Sequence, residues 1–387
     1  MDERPWSDSS RAAPTSPTEL RETIPALEEQ TYFNWGASGP SPRYVVDAAA
    51  NAQEYHEFDA PGDEGMYPVA SEMIEATRRD VADLIGASDE SIALTNSTTD
   101  GINRVGTALD WETGDVIVTT DLEHAAGRLP WTRLERSHGV EVRVIETTGG
   151  QIDLDALATK TRGADLLCVS AVDWLYGRVQ PVADIVEIAH ENGALALVDA
   201  VQAPGQTPVD VGSWKADFVA GAGHKWLLGL WGAGFLYIDE AALETTEPIH
   251  VGYRSVRTAD GGEYELHDDA RRFEIGTTSP TPYVGLQAAI HLRKEVGETA
   301  IQDRFAHLRA HFVDQIPVDR LLSSPEEPTG LVTIRVANPE SVVKALASES
   351  ISVRSLPLPE AVRVSIHAVN TEAEIDDLVS ALSEVWE

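Results

Sequence analysis

Cysteine is almost absent from this chain: Cys168 is the only one in 387 residues. That excludes intramolecular disulfides and cysteine-rich metal centres, and no metal-ligand set is expected. No apolar run reaches the length of a bilayer span, and no signal peptide precedes the first periodic segments. The expectation is a soluble, cytoplasmic protein without a membrane partner. Basic residues are scarce too, with 29 Lys and Arg against 64 Asp and Glu, a formal charge of −35. Nucleic acid is therefore an unsuitable partner. The acids are spread over helical positions such as 372–377 and do not form a tail. A surface of this kind repels itself in dilute buffer and is screened at high ionic strength. A salt-rich interior environment, and hence a halophilic source, is expected.

Apolar residues at 42% and charged residues at 24% describe a globular chain, and the length suits two domains. The segment from Asp217 to Ile238 organises the rest. It reads as an apolar strand, a Gly-rich turn carrying His224 and Lys225, and a second apolar strand. Small residues around the lysine let another group approach it closely. A lysine between apolar strands has a lowered pKa and a nucleophilic amine, as a Schiff base with an aldehyde requires. Lys160, Lys215, Lys294 and Lys344 have no such setting.

Along the chain, residues 1–30 read as an arm, polar up to Pro17 and then helical. Residues 32–40 form a strand breaking into a Gly/Pro turn that can line a pocket. Helical periodicity covers 43–58 and 69–85. From Ser91, strands alternate with helices: 91–95, 116–119, 140–145, 166–169, 195–198, 218–220 and 235–238, with helices at 98–109 and 125–138. This rhythm predicts an α/β domain with a mostly parallel sheet over 31–255. Helices at 283–296 and 299–315, then a strand–helix–strand–helix tail, predict a smaller α+β domain over 256–387.

Several segments carry candidate chemistry. Ser97, Thr98 and Thr99 lie where a strand hands over to a helix, and either cap that helix or cradle an anion. Asp100 would strengthen a cap and repel a phosphate. Asp199 ends an apolar strand, where open α/β sheets bind ligands, and is suited to hold a proton on a heteroaromatic nitrogen. Gln202 can donate to a neighbouring oxygen. His124 can stack on a planar ring or shuttle a proton. Arg363 begins a strand in the smaller domain and suits a carboxylate, with a surface ion pair as the alternative. Taken singly, each also has a structural reading, and His367 is read as structural.

These segments, in this order, resemble the class V aminotransferase family, fold-type-I pyridoxal-phosphate enzymes that include cysteine desulfurases and selenocysteine lyases. The resemblance runs from about Tyr32 to the end. It implies a Schiff base on Lys225, with His224 helping to hold the phosphate. Ser97 and Thr98 are implied as the phosphate cradle with Thr99 close by, Asp199 as partner of the pyridine nitrogen, and Gln202 of the ring hydroxyl. His124 is implied as the stacking histidine, with a role in proton transfer. Thr277 is implied to reach the neighbouring subunit's phosphate, hence a homodimer. Arg363 is implied to bind the substrate carboxylate, with Ala37 beside the substrate.

The chain also departs from that family. Desulfurase-type enzymes carry a loop cysteine shortly before the substrate arginine, and the interval 354–362 has none. Ala222 stands where a serine is usual, and Trp174 where many members have a polar residue. The expected activity is that of a pyridoxal-phosphate enzyme acting on an amino acid. Transamination is placed first, with a cysteine- or selenocysteine-type lyase lacking a catalytic cysteine as the alternative. A non-catalytic binding protein of the same fold is the third reading.

Overall fold

The computed structural model describes residues 12–260, 262–356 and 359–385. Residues 1–11 of the expected arm, and Pro357 and Leu358 of the cysteine-free interval, lie outside them. The centre is a seven-stranded sheet. Its strands are β1 Ile92–Thr95, β2 Val116–Thr120, β3 Glu141–Ile145, β4 Leu166–Ser170, β5 Leu195–Asp199, β6 Phe218–Ala222 and β7 Gly234–Ile238. Their spatial order is β1-β7-β6-β5-β4-β2-β3. Only β7 runs against its neighbours, antiparallel to β1 and β6, while the remaining pairs are parallel. Every residue of β1, β2, β4, β6 and β7 is buried. Burial on both faces explains why these strands read as continuous apolar runs without alternation. The architecture is the α/β, mostly parallel fold expected of a fold-type-I enzyme.

Parallel strands need crossovers, and the helices Thr98–Ala108, Leu129–His138 and Val182–Glu191 lie in these connections. The helix expected from residue 125 starts later. His124 instead caps a short 3-10 turn, Ala125–Gly127, and Pro130 occupies the first turn of the helix that follows. This places His124 just beyond the carboxyl end of β2.

A second layer is built on the antiparallel sheet Leu331–Arg335, Ala361–Ser365 and Arg354–Leu356. The helices Glu298–Val313, Pro339–Ser348 and Glu372–Val385 contribute Phe312, Leu346 and Leu382 to its core, against Val332 and Val364. Two segments reach across the divisions expected near residues 30 and 255. Thr31–Tyr32 pairs with Ile351–Ser352, and Phe33 packs in the second core. Thr281–Val296 packs on Arg43–Glu54 and Met66–Ile85 beside the first. An antiparallel pair, Val256–Asp260 with Glu263–Leu266, is absent from the sequence reading. Most of its residues are exposed, so it has no apolar alternation to detect. Among the described residues no helix is long and apolar enough to cross a membrane.

The layers meet at His367, which is buried. Its Nε2–H donates to the Trp226 carbonyl at 3.1 Å, and its Nδ1 accepts the Val369 N–H at 3.3 Å. The ring stacks on Trp226 at 6.2 Å and 10°, and Phe305 meets it edge-on. Burial above all pushes the imidazole down to about 4.

Two expectations follow from this fold. In the unfolded chain His367 titrates near 6.5, so below that pH the unfolded state binds a proton the folded state refuses. Its contribution is full above pH 6.5 and is lost as pH falls toward 4, up to roughly 3 kcal/mol. Glu123 and Asp173, whose folded carboxyls are raised, oppose this slope. The difference between wild type and His367→Gln in denaturant titrations isolates the histidine: the variant loses less stability on acidification. The second concerns the charge of −35. Raising KCl from about 0.1 M to about 2 M is expected to raise Tm by roughly 5 °C or more through screening. A flat Tm would refute salt adaptation.

Candidate active site

The carboxyl ends of the parallel strands open into a cavity of about 380 Å³. Lys225 enters it from the turn between β6 and β7. That turn is pressed against the loop at 36–40: the Gly39 N–H donates to the His224 carbonyl at 2.8 Å. A Cβ at Gly39 would come within 2.3 Å of the Lys225 carbonyl oxygen, so only glycine permits this approach. Leu228 closes the turn at a φ of 63°, a left-handed and strained conformation for a leucine. Burial, Arg363 and Arg354 hold the Lys225 ammonium down to about 8, against the opposing pull of Asp199. Part of the amine is therefore neutral and nucleophilic near neutral pH.

Asp199 ends β5 and is buried. Burial raises its carboxyl, while the Val201 N–H at 2.9 Å and the charge of Lys225 act the other way. Gln202 lines the cavity with much of its amide engaged elsewhere. Its Nε2–H donates to Gly36 O at 2.9 Å, and its Oε1 accepts the Trp226 indole N–H at 2.8 Å. His224 is pushed down to about 4 by burial and by Lys225, and meets Trp231 edge-on at 5.7 Å.

The helix Thr98–Ala108 points its N-terminus at the cavity, and Ser97, Thr98 and Thr99 all line it. The capping reading of this segment is seen directly, and it leaves one hydroxyl free. Ser97 caps the helix by accepting the Asp100 N–H at 3.1 Å, whereas the buried Thr98 hydroxyl has no partner among the described residues. Asp100 does not face an incoming anion unopposed, because Arg104 pairs with its carboxylate at 2.9 Å. Ala222, buried at the end of β6, supplies no hydroxyl.

His124 borders the cavity with its Nδ1 accepting the Ala126 N–H at 3.3 Å, and it stands edge-on to Trp174 at 5.3 Å. Burial and the cations Lys225, Arg354, Arg363 and Arg128 lower its pKa, so it is neutral at pH 7. Across the cavity, Arg363 is buried, donates to Trp174 O at 2.8 Å, and lies 5.9 Å from the Trp174 ring centre. Its Nε–H has no partner and no carboxylate forms an ion pair with it among the described residues, although the charge of Asp173 acts on it from farther away. A buried guanidinium without an anion is costly, and a carboxylate entering the cavity supplies one. Ala37 lines the same space.

Thr277 lies elsewhere. It is exposed, bonded to the Tyr253 hydroxyl at 2.8 Å, and borders a recess that shares only Asn96 with the cavity. Sequence reasoning passed over Arg354, which also lines the cavity. The pairing register sets Arg354 directly opposite Arg363, on the same face of the sheet. The detectable signal was two arginines nine positions apart, flanking a short turn between two strands. Ser170, which lines the cavity, and Glu123 buried behind it were also passed over.

The residues present fit pyridoxal phosphate. The orphaned Thr98 hydroxyl at a helix N-terminus suits its phosphate, buried Asp199 its ring nitrogen, and Lys225 its aldehyde.

Comparison with known proteins agrees. The family profile described as Aminotransferase class-V matches residues 31–378. A probable cysteine desulfurase of Methanothermobacter thermautotrophicus is 34% identical, covering 95% of this chain and 97% of its own. The apo cysteine desulfurase from Thermococcus onnurineus superimposes with a TM-score of 0.88 at 30% identity, over 97% of this chain and 99% of its own. The cystine C–S lyase C-DES, solved with its product cysteine persulfide, gives 0.89 at 27% identity, over 94% and 100%. In sequence over nearly its whole length and in shape alike, the chain belongs to the class V aminotransferase family of pyridoxal-phosphate enzymes.

Proposed function

We propose that this enzyme is a C–S lyase for cysteine-type amino acids whose sulfur bears a second anionic group, with cystine as the model substrate. One observation carries the reading: two arginines face each other across a strand pair in a cavity with no thiol. Cys168 is buried, and burial holds its thiol well above the ordinary value. The names of its relatives favour this order, which puts the lyase before the transaminase first expected.

Arg363, buried and without an anion, receives the substrate α-carboxylate. Arg354, exposed at the rim, receives the second carboxylate. When bound, the cofactor is the electron sink for charge developing at the α-carbon. Lys225 takes the α-proton, and neutral His124 returns a proton to the departing sulfur. The Cβ–S bond breaks. From cystine and one water the products are pyruvate, ammonia and cysteine persulfide, with no external oxidant or reductant.

The homodimer belongs to the same proposal. Trp231, 73% exposed at the cavity, Ile249, 65% exposed, and exposed Tyr253 beside Thr277 are large apolar side chains that a second copy would cover. Thr277 would meet the other subunit's cofactor phosphate there.

Two experiments test the reading. Lys225→Ala is expected to abolish the visible absorption of the bound cofactor and all turnover, and surviving activity would disprove Schiff-base chemistry. Arg354→Gln is expected to raise KM for cystine about 10- to 100-fold while leaving S-methylcysteine nearly unchanged, the effect of losing one charge-assisted contact. Equal losses on both substrates would remove Arg354 from recognition. An amino-acceptor requirement, with no pyruvate from cystine, would return the enzyme to transamination.

A further inference from the structure

Behind the cavity floor the chain buries a carboxyl that none of these steps uses. Glu123 is 2% exposed. Its Oε1 accepts the Thr120 hydroxyl at 2.8 Å and the Ser170 N–H at 3.1 Å, and its Oε2 lies 2.6 Å from the Ser170 Oγ. Ser170 ends β4, lines the cavity, and is paired in register with Asp199 on β5. Glu123, Ser170 and Asp199 therefore form a row running from the interior to the place where the pyridine ring binds.

A clamp between strand ends needs hydrogen-bonding atoms but no ionisable group. A glutamine would supply them at lower desolvation cost, since no lysine or arginine pairs with Glu123 among the described residues. The titratable neighbours are Asp199 on β5, Cys168 two residues before Ser170 on β4, and His124 next in the chain. Gly127 leaves room for the carboxyl, as a Cβ there would come within 3.3 Å of Oε2. Burial, helped by the charge of Asp199, raises this acid to about 7 against the hydrogen bonds from Ser170 and Thr120.

We propose that Glu123 is a positioning residue for the reaction, placing a second protonatable acid behind Asp199 through Ser170 and so tuning how tightly the cofactor site holds its protons. When Glu123 carries its proton, it donates to Ser170 Oγ, and the serine hydroxyl hydrogen is released toward the cavity. When it is ionised, Ser170 donates back to it. A further negative charge then stands behind Asp199 and favours protonated groups in front of it. The inference rests on cofactor binding at Lys225 and is independent of the substrate.

The test is a pH titration of the visible cofactor band of the holoenzyme from about pH 5.5 to 9.5. Glu123→Gln keeps the acceptor oxygen and donates to Ser170 Oγ, fixing the neutral arrangement. Its titration midpoint is expected to fall by about one pH unit relative to wild type. Ser170→Ala removes a contact that stabilises ionised Glu123, so its midpoint should fall in the same direction by less. This variant carries the test if Glu123→Gln does not fold. Intact bands with unmoved midpoints would overturn the proposal and leave Glu123 a strand clamp. A wild type that gives no visible band would instead overturn cofactor binding, and this proposal with it.

Discussion

Trp226 follows Lys225 directly, and its environment fixes where that lysine stands. Its indole N–H is taken by Gln202, its carbonyl by His367, and its ring stacks on the same histidine. Gln202 in turn holds the Gly36 carbonyl in a loop that lines the cavity. One buried side chain thus ties the Lys225 turn to the loop after Asp199, to the N-terminal loop, and to the layer that supplies Arg363. Gly205 and Gly330 are shaped around it, since a Cβ at either would collide with Trp226 atoms at 2.3 and 2.9 Å. Such multiple attachment gives the reacting groups a common reference frame, which productive geometry demands.

The cavity is an electrostatic inversion of the protein around it. Lys225, Arg354 and Arg363 line it and Asp199 is its one acid among the described residues, while the whole chain carries −35. Burial, with Arg363 and Arg354 beside it, lowers the proton affinity of Lys225, and burial with the nearby Lys225 charge likewise lowers that of His124 and His224. An anionic ligand relieves that repulsion. The cost of assembling the site thus favours an anionic occupant.

Much of this was legible in the chain itself because several independent signals coincided at strand ends. Lys225, Asp199, His124 and the hydroxyls at 97–99 each end or follow an apolar run, and a mostly parallel sheet brings such ends to one edge. What escaped depends on pairing across long separations. The placing of Arg354 beside Arg363 requires a strand register that no local pattern encodes. The engagement of Gln202 by Trp226 and Gly36, and of Asp100 by Arg104, likewise emerges only when side chains are seated. The Val256–Asp260 pair was invisible for the opposite reason, since an exposed ribbon has no burial pattern to leave in its sequence. Apolar rhythm reports what the interior demands and is silent about the surface.

Cys168, sealed between the sheet and its helices, has a practical consequence. Its burial and raised proton affinity leave it a poor target for maleimides or iodoacetamide. A cysteine engineered at any exposed position would then be the sole reactive thiol, so a spin label or fluorophore could be attached there without first editing the background. Placed at the rim near Arg354 or on the face around Tyr253, such a reporter would follow ligand entry or subunit association in a chain whose own sulfur stays silent.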